Sequence, residues 1–198
     1  MPDDIADISD FYSRSPKHED ARLVRHQLEF ELTLRYLDEF LAPRSNILEL
    51  GAATGRYTLE LAKRGHGGTA VDLSPALIGR CRERLAGAGV TGWTTIEGDA
   101  RDVDIQERFD AVLVMGPLYH LVERPDRVRV LTRAHDWLVD DGLVFSAWIS
   151  RYGMLGDLIK HEPQWVDRGD DVASIMAEGR DPPGPRTGFR GYFAQVDE

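Results

Sequence analysis

The spacing of apolar residues changes once along the N-terminal quarter of the chain. From Glu19 to Leu41 apolar side chains recur at helical intervals, which predicts one buried face of a long helix. Pro43 ends that helix, because proline cannot continue the backbone hydrogen bonds. Residues 1–18 are polar and contain two prolines, which predicts an irregular lead-in.

From residue 46 onward, short apolar runs alternate with helical patterns. The predicted strands are Asn46–Leu50, Gly68–Leu73, Thr94–Glu97, Asp110–Met115 and Leu143–Ile149. The predicted helices are Arg56–Arg64, one that begins at Ser74-Pro75 with Leu77, Ile78, Cys81 and Leu85 inward, and Asp126–Val139, which Asp141-Gly142 ends. This alternation predicts a parallel sheet with helices on both faces.

The chain after residue 150 follows a different pattern. Met154–His161 and Val172–Glu178 have the spacing of short helices, and the proline-rich segment 180–186 predicts a loop. We therefore divide the chain, as one domain overall, into an N-terminal lid and helix (1–45), a ligand-binding core (46–150) and a variable helical and loop segment (151–198).

Charge and composition restrict the partners. The chain has 198 residues and a formal net charge of −10, which disfavours nucleic acid as a substrate. The longest apolar runs are far shorter than the roughly 20 residues that a membrane span needs. An acidic start without a leader and a single cysteine, Cys81, predict a reducing, cytoplasmic setting. The scattered histidines show no metal-ligand spacing, so no metal is expected.

Candidate chemistry lies where the predicted strands end. Glycines in the segment Glu49–Gly55 let the backbone approach a ligand, although this signal alone is weak. Asp72 follows Gly51 by 21 residues, the spacing of a carboxylate that binds ribose hydroxyls. Asp99 follows the third strand and Met115 closes the fourth. Since parallel strands deliver their carboxyl ends to one edge, these groups are predicted to share a rim.

These segments resemble the successive motifs of class I S-adenosylmethionine-dependent methyltransferases. The resemblance rests on Ile47–Gly55, Ala70–Leu73, Gly98–Asp102 and Asp110–Leu121, and it extends over roughly Phe11 to Ile149. It implies a Rossmann-like, doubly wound parallel sheet of order 3-2-1-4-5, with S-adenosylmethionine as cofactor and methyl transfer as activity. Met115–Leu121 is similar to a motif of members that methylate small molecules.

The resemblance also assigns site residues. It implies that the methionine part of the cofactor is lined by Glu49, Gly51, Ala52, Ala53 and Gly55. It further implies that Asp72 and Leu73 hold the ribose and flank the adenine, and that Asp99 and Ala100 contact the adenine edge. By the same resemblance, Met115 lies under the ring system or near the sulfonium, and Phe11-Tyr12 closes over the cofactor.

The acceptor side is less determined. Methyl transfer from a sulfonium is an in-line displacement, in which the protein mainly aligns the reactants and excludes water. If the acceptor is a hydroxyl or a protonated amine, a base helps, and His120 is the best-placed candidate. His120 equally fits a packing or capping role, and Tyr119 either shapes the acceptor pocket or fills the core.

Two departures from the family pattern stand out. Ala53 replaces a frequent glycine, which is tolerable only outside a glycine-specific backbone conformation. The family's last two strands have no candidates before Glu198, so the chain is a fragment, a short gene product, or one whose missing strands come from elsewhere. An edge at Leu143–Ile149 is then expected, covered by a second copy in a homodimer or by residues 151–198.

Two other functions remain in view. The chain is alternatively a module that binds S-adenosylmethionine without turnover. A nicotinamide-dependent reductase shares the sheet, but Gly55 is followed by Arg56-Tyr57 rather than by the glycine pattern of that class, and no tyrosine has lysine four residues later. A phosphate-binding Gly-Lys-Ser/Thr sequence is also absent.

Overall fold

The computed structural model describes residues 6–14, 26–180 and 191–195. Its helices are α1 (Ala6–Arg14), α2 (Gln27–Phe40), α3 (Arg56–Lys63), α4 (Pro75–Gly87), α5 (Arg124–Asp136), α6 (Arg151–His161) and α7 (Gly169–Glu178). Its strands are β1 (Asn46–Leu50), β2 (Gly67–Asp72), β3 (Trp93–Glu97), β4 (Phe109–Val114) and β5 (Leu138–Ser146), and 3₁₀ turns occupy Pro117–Tyr119 and Pro163–Asp167.

The described strands form one sheet of order β3-β2-β1-β4-β5, in which every neighbouring pair is parallel. The predicted doubly wound, Rossmann-like fold and its order 3-2-1-4-5 are therefore confirmed. The chain order reverses between β1 and β4, where the carboxyl ends of the central strands leave a crevice for a ligand.

Helices cover both faces of the sheet, as the alternating pattern predicts. On one face, α2 packs through Phe30, Leu34 and Leu37 against a cluster that includes Ile47 of β1. The predicted inner face of α4 is buried, and the Ser74 hydroxyl accepts a hydrogen bond from the backbone N–H of Leu77. On the other face, α5 packs against the alternate residues of β1 and β4.

The N-terminal prediction is wrong for Ala6–Arg14, which form α1 instead of an irregular lead-in. Ile8 is buried, and the Ser13 and Ser74 hydroxyls lie 2.9 Å apart, so α1 rests against the start of α4. A nine-residue helix is marginal alone and depends on such tertiary contacts, which local spacing does not reveal. The predicted helix 19–41 is confirmed over Gln27–Phe40, and residues 19–25 lie outside the described part.

The boundary between α5 and β5 also differs from the prediction. The helix ends at Asp136, before Val139, and the strand runs from Leu138 to Ser146 rather than from Leu143 to Ile149. Leu138 already pairs with Phe109, but the next pairing joins Leu143 to Ala111. Because Asp141 adopts a left-handed φ of 62°, the residues before Leu143 bulge out, and Asp141-Gly142 lies inside the strand instead of ending a helix.

The C-terminal segment forms a small cluster of its own. The two short helices are confirmed as α6 and α7, and Leu158, Ile175 and Phe193 are its buried residues. Residues 191–195 hydrogen-bond to Ile149 and Arg151, past the end of β5. Most of the predicted loop, residues 181–186, lies outside the described part.

The outer side of β5 is an open edge in the described structure. No described strand pairs with it on that side, and Leu143 and Val144 are each 39% exposed. The described part of residues 151–198 thus leaves this edge accessible, and the predicted second copy remains a prediction. None of the described helices is long and apolar enough to cross a bilayer.

Candidate active site

A cleft opens at the carboxyl ends of the central strands, and α1 lies over it. The residues that the sequence predicts for the site and that line this cleft are Tyr12, Glu49, Gly51, Ala52, Ala53, Asp72, Leu73, Asp99, Ala100, Met115, Tyr119 and His120. The predicted convergence of strand ends therefore exists, because residues from β1, β2, β3 and β4 and their following turns meet in one cavity.

Two glycines shape the turn after β1. Gly51 has a φ of 81°, and a Cβ atom there would lie 2.8 Å from Cδ of Pro117, so the turns after β1 and β4 pack directly together. Gly55 has a φ of 77°, and its Cβ would lie 2.5 Å from Sγ of Cys81. The structure thus places Gly55 against α4 and outside the set of cleft-lining residues.

Ala53 adopts the backbone conformation that the sequence prediction treated as unfavourable. Its φ is 50°, in the left-handed region, where a Cβ atom costs about 1–2 kcal/mol. The amide of Ala53 donates a hydrogen bond of 2.7 Å to Oδ2 of Asp72. This contact holds the turn in place against the strain.

Asp72 links the turn after β1 to the start of α4. It is 8% exposed, and its Oδ1 accepts a hydrogen bond of 2.9 Å from the backbone N–H of Ser74. A carboxylate offers about four lone-pair positions, so acceptance from two backbone amides is compatible with further bonds to ligand hydroxyls. Asp72 therefore has the chemistry needed to bind ribose hydroxyls, as the spacing predicts.

Glu49 is the most deeply buried acid of the cleft, at 1% exposed. The Thr58 hydroxyl donates to its Oε2 over 2.6 Å. Burial raises the pKa of Glu49 from 4.5 to about 7, the Thr58 hydrogen bond opposes this rise, and the charge of Asp72 adds to it. A cation bound beside Glu49 would stabilise its ionised form.

Asp99 is held by an arginine that the sequence analysis did not single out. The backbone N–H and the guanidinium of Arg101 donate to both oxygens of Asp99 over 2.7–3.2 Å. Nη1 of Arg101 also donates to Asp126 in the first turn of α5, over 2.9 Å. Arg101 therefore orients the Asp99 carboxylate and joins the end of β3 to α5.

The other end of the cleft carries an aromatic group. The Tyr12 hydroxyl lies 3.0 Å from Nε2 of His120, with the two rings nearly perpendicular. The centre of the Tyr119 ring lies 4.8 Å from that of the His120 ring. The backbone C=O of Tyr119 accepts a hydrogen bond from the backbone N–H of Tyr192. Since His120 is 8% exposed and Tyr12 is half-buried, Tyr12 shields the imidazole from the solvent.

Several cleft residues escaped the sequence analysis. Glu29 and Phe30 come from α2, and Arg56 and Tyr57 begin α3. The signal for Arg56 was its position directly after Gly55, at the turn already assigned to ligand binding. No local signal marks Glu29 or Phe30, since only the packing of α2 brings them to the cleft.

Comparisons with known proteins find similarity to methyltransferases. A family model described as a methyltransferase domain matches residues 47–142. The chain is 29% identical over 162 residues to a glycine/sarcosine N-methyltransferase of Aphanothece halophytica, covering 74% of this chain and 60% of that protein. It is 31% identical over 115 residues to a carboxy-S-adenosyl-L-methionine synthase of Klebsiella pneumoniae, covering 55% of this chain and 46% of that protein.

A solved SAM-dependent methyltransferase from Methanosarcina mazei superimposes with a TM-score of 0.66 at 19% identity, covering 82% of this chain and 78% of that one. At this identity the likeness shows the fold alone. The chain spans less than two thirds of the length of the first curated relatives it matches.

Proposed function

Because the chain belongs to the class I S-adenosylmethionine-dependent methyltransferase family, we propose that it transfers a methyl group from S-adenosylmethionine to a small-molecule acceptor. The observation that carries the proposal is the meeting of Glu49, Asp72 and Asp99, from the ends of three neighbouring strands, in one cleft. Three carboxylates along one cleft suit a ligand that has an ammonium group, a ribose and an exocyclic amine along its length.

The residues present fit this cofactor. The buried carboxyl of Glu49, whose pKa is raised by burial, would face the ammonium, and Asp72 would accept from the ribose hydroxyls. Leu73, Asp99 and Ala100 would surround the adenine. S-adenosylmethionine supplies, when bound, an electrophilic methyl group on its sulfonium. Every remaining requirement falls to the chain: alignment of the acceptor, exclusion of water and removal of a proton.

The acceptor side offers a base and aromatic walls. We assign His120 as the group that accepts a proton from the acceptor, with Tyr12 and Tyr119 forming the walls of its pocket. Aromatic rings beside a histidine suit a small acceptor, which an in-line displacement needs to hold in a fixed direction. The similarity to a glycine/sarcosine N-methyltransferase favours an amine as the methylated group.

The second candidate is binding without turnover. The similarity to a carboxy-S-adenosyl-L-methionine synthase supports recognition of this class of cofactor rather than any one acceptor. A protein of this kind would retain the carboxylates of the cofactor half of the cleft and make no use of His120 as a base.

Two measurements test the proposal in sequence. Isothermal titration with S-adenosylmethionine and S-adenosylhomocysteine is expected to show one site for each; heat from neither ligand would overturn the cofactor assignment. A screen with S-adenosylmethionine carrying a radioactive methyl group, against small amines, phenols and carboxylic acids, then separates the candidates. Transfer to an acceptor, abolished by His120→Ala with the cofactor affinity retained, supports the enzyme; titration without transfer supports the binding module.

A further inference from the structure

The last described segment of the chain, residues 191–195, contacts the side of the cleft that we assign to the acceptor. The backbone N–H of Tyr192 donates a hydrogen bond of 2.8 Å to the C=O of Tyr119. Tyr119 precedes His120 and packs against it in the cleft, whereas Tyr192 is buried and lies outside the set of cleft-lining residues. The C-terminal part of the chain is therefore bonded to the backbone next to the proposed base.

An arginine at the start of α5 makes a second contact with this segment. Nη1 of Arg127 donates to the C=O of Leu121 over 2.7 Å and to the C=O of Val122 over 2.8 Å. The guanidinium carbon lies 3.5 Å from the centre of the Tyr192 ring, which is the geometry of a cation–π contact. Arg127 is 6% exposed, so these charge-assisted bonds form away from the solvent, where they are strong. One guanidinium thus holds the backbone that follows His120 against the C-terminal segment.

The C-terminal segment is itself fixed to α6 and α7. The Phe193 side chain is fully buried between these helices, and its backbone C=O accepts a hydrogen bond of 3.0 Å from Nε of Arg151. The backbone N–H of Arg151 donates to the C=O of Ala194 over 3.1 Å. At the surface, Nη1 of Arg180 lies 3.2 Å from Oε1 of Glu123, the residue before α5. A continuous set of contacts therefore connects α6 and α7 to the residues around His120.

We propose that Arg127 is a positioning residue for the acceptor side of the cleft, because it joins the backbone after His120 to Tyr192. This inference rests on the proposed function, in which His120 accepts the proton. A base must be held near its productive geometry, since a displacement of about 1 Å lowers a rate by about 100-fold. Arg127 lies outside the set of cleft-lining residues, so it acts through the backbone of Leu121 and Val122.

Amide hydrogen exchange measures the effect on the backbone. The N–H groups of His120 and Leu121 donate to the C=O of Pro117 over 3.0 and 3.2 Å, so their protection reports whether the segment opens. Arg127→Met removes the guanidinium and is expected to raise both exchange rates about 10- to 100-fold, the range of a lost charge-assisted contact. Arg127→Lys keeps the charge without the planar fork and should give intermediate rates. Tyr192→Ala leaves α5 unchanged and should also raise the rates, which keeps the test decisive if Arg127→Met does not fold.

The imidazole of His120 supplies a spectroscopic signature of its position. In protein with isotope-labelled histidine, the His120 signal is assigned by its absence from His120→Gln, and the nearby Tyr12 and Tyr119 rings shift it. Arg127→Met is expected to move this signal toward those of exposed histidines. The affinity for S-adenosylhomocysteine, measured by isothermal titration, should stay within about twofold, because the cofactor side has its own support in Arg101.

Arg133→Met is the matched control for this arginine. Arg133 also lies on α5, its guanidinium carbon lies 4.6 Å from the centre of the Trp137 ring, and it also donates to a backbone C=O, that of Val103. Because these partners are not part of the segment 119–123, Arg133→Met is expected to lower the stability without changing the His120 signal or the exchange rates. Thermal unfolding by circular dichroism measures the loss of stability in each variant.

Three results would overturn the inference. They are an unchanged His120 signal in Arg127→Met, equal changes in Arg127→Met and Arg133→Met, and a loss of S-adenosylhomocysteine affinity in Arg127→Met as large as the rise in exchange. In the last case Arg127 supports the whole cleft rather than its acceptor side. If the unmodified protein does not bind S-adenosylhomocysteine, the proposed function itself is overturned, a separate outcome that needs no variant.

Discussion

Ala53 carries backbone strain at the centre of the turn after β1. Replacing it with glycine removes the left-handed penalty of about 1–2 kcal/mol and adds about 0.5–1 kcal/mol of backbone entropy cost, so Ala53→Gly is expected to stabilise the fold by up to about 1.5 kcal/mol. Ala52 is buried and outside the left-handed region, and Ala52→Gly is expected to destabilise it. Urea unfolding measures both; equal destabilisation would mean that Ala53 is unstrained.

Glu49 links stability to pH at the same site. Burial raises the pKa of Glu49 from its ordinary 4.5 to about 7, so below about pH 4.5 the folded and the unfolded chain both hold the proton and Glu49 has no effect on stability. As pH rises to about 7, the unfolded chain releases the proton while the native one keeps it, and stability falls. Above pH 7 the loss is complete. Glu49→Gln is therefore expected to stabilise the ligand-free protein at pH 8 by up to about 3 kcal/mol.

The same substitution is expected to weaken S-adenosylmethionine binding, because a neutral amide attracts an ammonium less than a carboxylate does. Urea titrations at pH 4.5 and 8, with isothermal titration at pH 8, measure the two effects. Glu97→Gln, at an exposed position at the end of β3, is the control and should change neither. A variant that loses stability at pH 8 would show that ionised Glu49 is well solvated or paired.

At the scale of elements, the triad of Asp99, Arg101 and Asp126 joins the end of β3 to α5. The side chains of Arg101 and Asp126 are 9% and 7% exposed. Removing the guanidinium therefore deprives the buried Asp126 carboxylate of its ion pair with Arg101. Arg101→Ala is expected to lower the free energy of unfolding by about 3–5 kcal/mol at neutral pH.

A surface ion pair provides the comparison for that triad. Nζ of Lys63 lies 2.7 Å from Oε1 of Glu60, and 56% of the Lys63 side chain is exposed. Lys63→Ala should therefore change the free energy of unfolding by less than about 0.5 kcal/mol. Chemical unfolding of both variants at pH 7 measures the contrast. If Arg101→Ala behaves like Lys63→Ala, the triad is solvated and does not fix Asp99.

The elements that sequence predicts best are those whose stability comes from regular spacing. The apolar runs of β1 and β4 and the Ser74-Pro75 start of α4 are local features, and they fall where predicted. Helix α1 and the bulge before Leu143 are not local, since one depends on contact with α4 and the other on pairing with β4. Their prediction would require the tertiary structure first.

The candidate site divides in the same way. Asp72 ends β2 and Asp99 follows β3, so the parallel topology alone brings them to one rim. The partner of Asp99 and the approach of Glu29 depend on how α5 and α2 pack, and these escaped the sequence analysis. The sequence shows that an alanine replaces a glycine at position 53, but it does not show the backbone conformation there. Only the structure shows that Ala53 has a left-handed φ.

At the scale of the whole molecule, exposed apolar side chains lie both on α2 and along β5. Leu32, Tyr36 and Phe40 of α2 are each about half exposed and repeat every four residues. Phe145 of β5 packs against the cluster beneath that helix, so α2 and β5 share one face of the sheet. An unpaired edge strand with exposed apolar residues favours association between strands.

We expect two copies to pair along β5, with a dimer seen by sedimentation equilibrium. Because each chain has a net charge of −10, the copies repel, and the dimer fraction should rise with salt. Val144→Lys places a charge on the edge and should give monomers, as charged residues on edge strands do in natural proteins. Val128→Lys, at a similarly exposed valine on α5, should leave the dimer intact. The prediction is wrong if the unmodified protein stays monomeric at every salt concentration and β5 shows fast amide exchange. In that case the bulge and the nearby acidic residues Asp140 and Asp141 are what keeps the edge of β5 from pairing with a second copy.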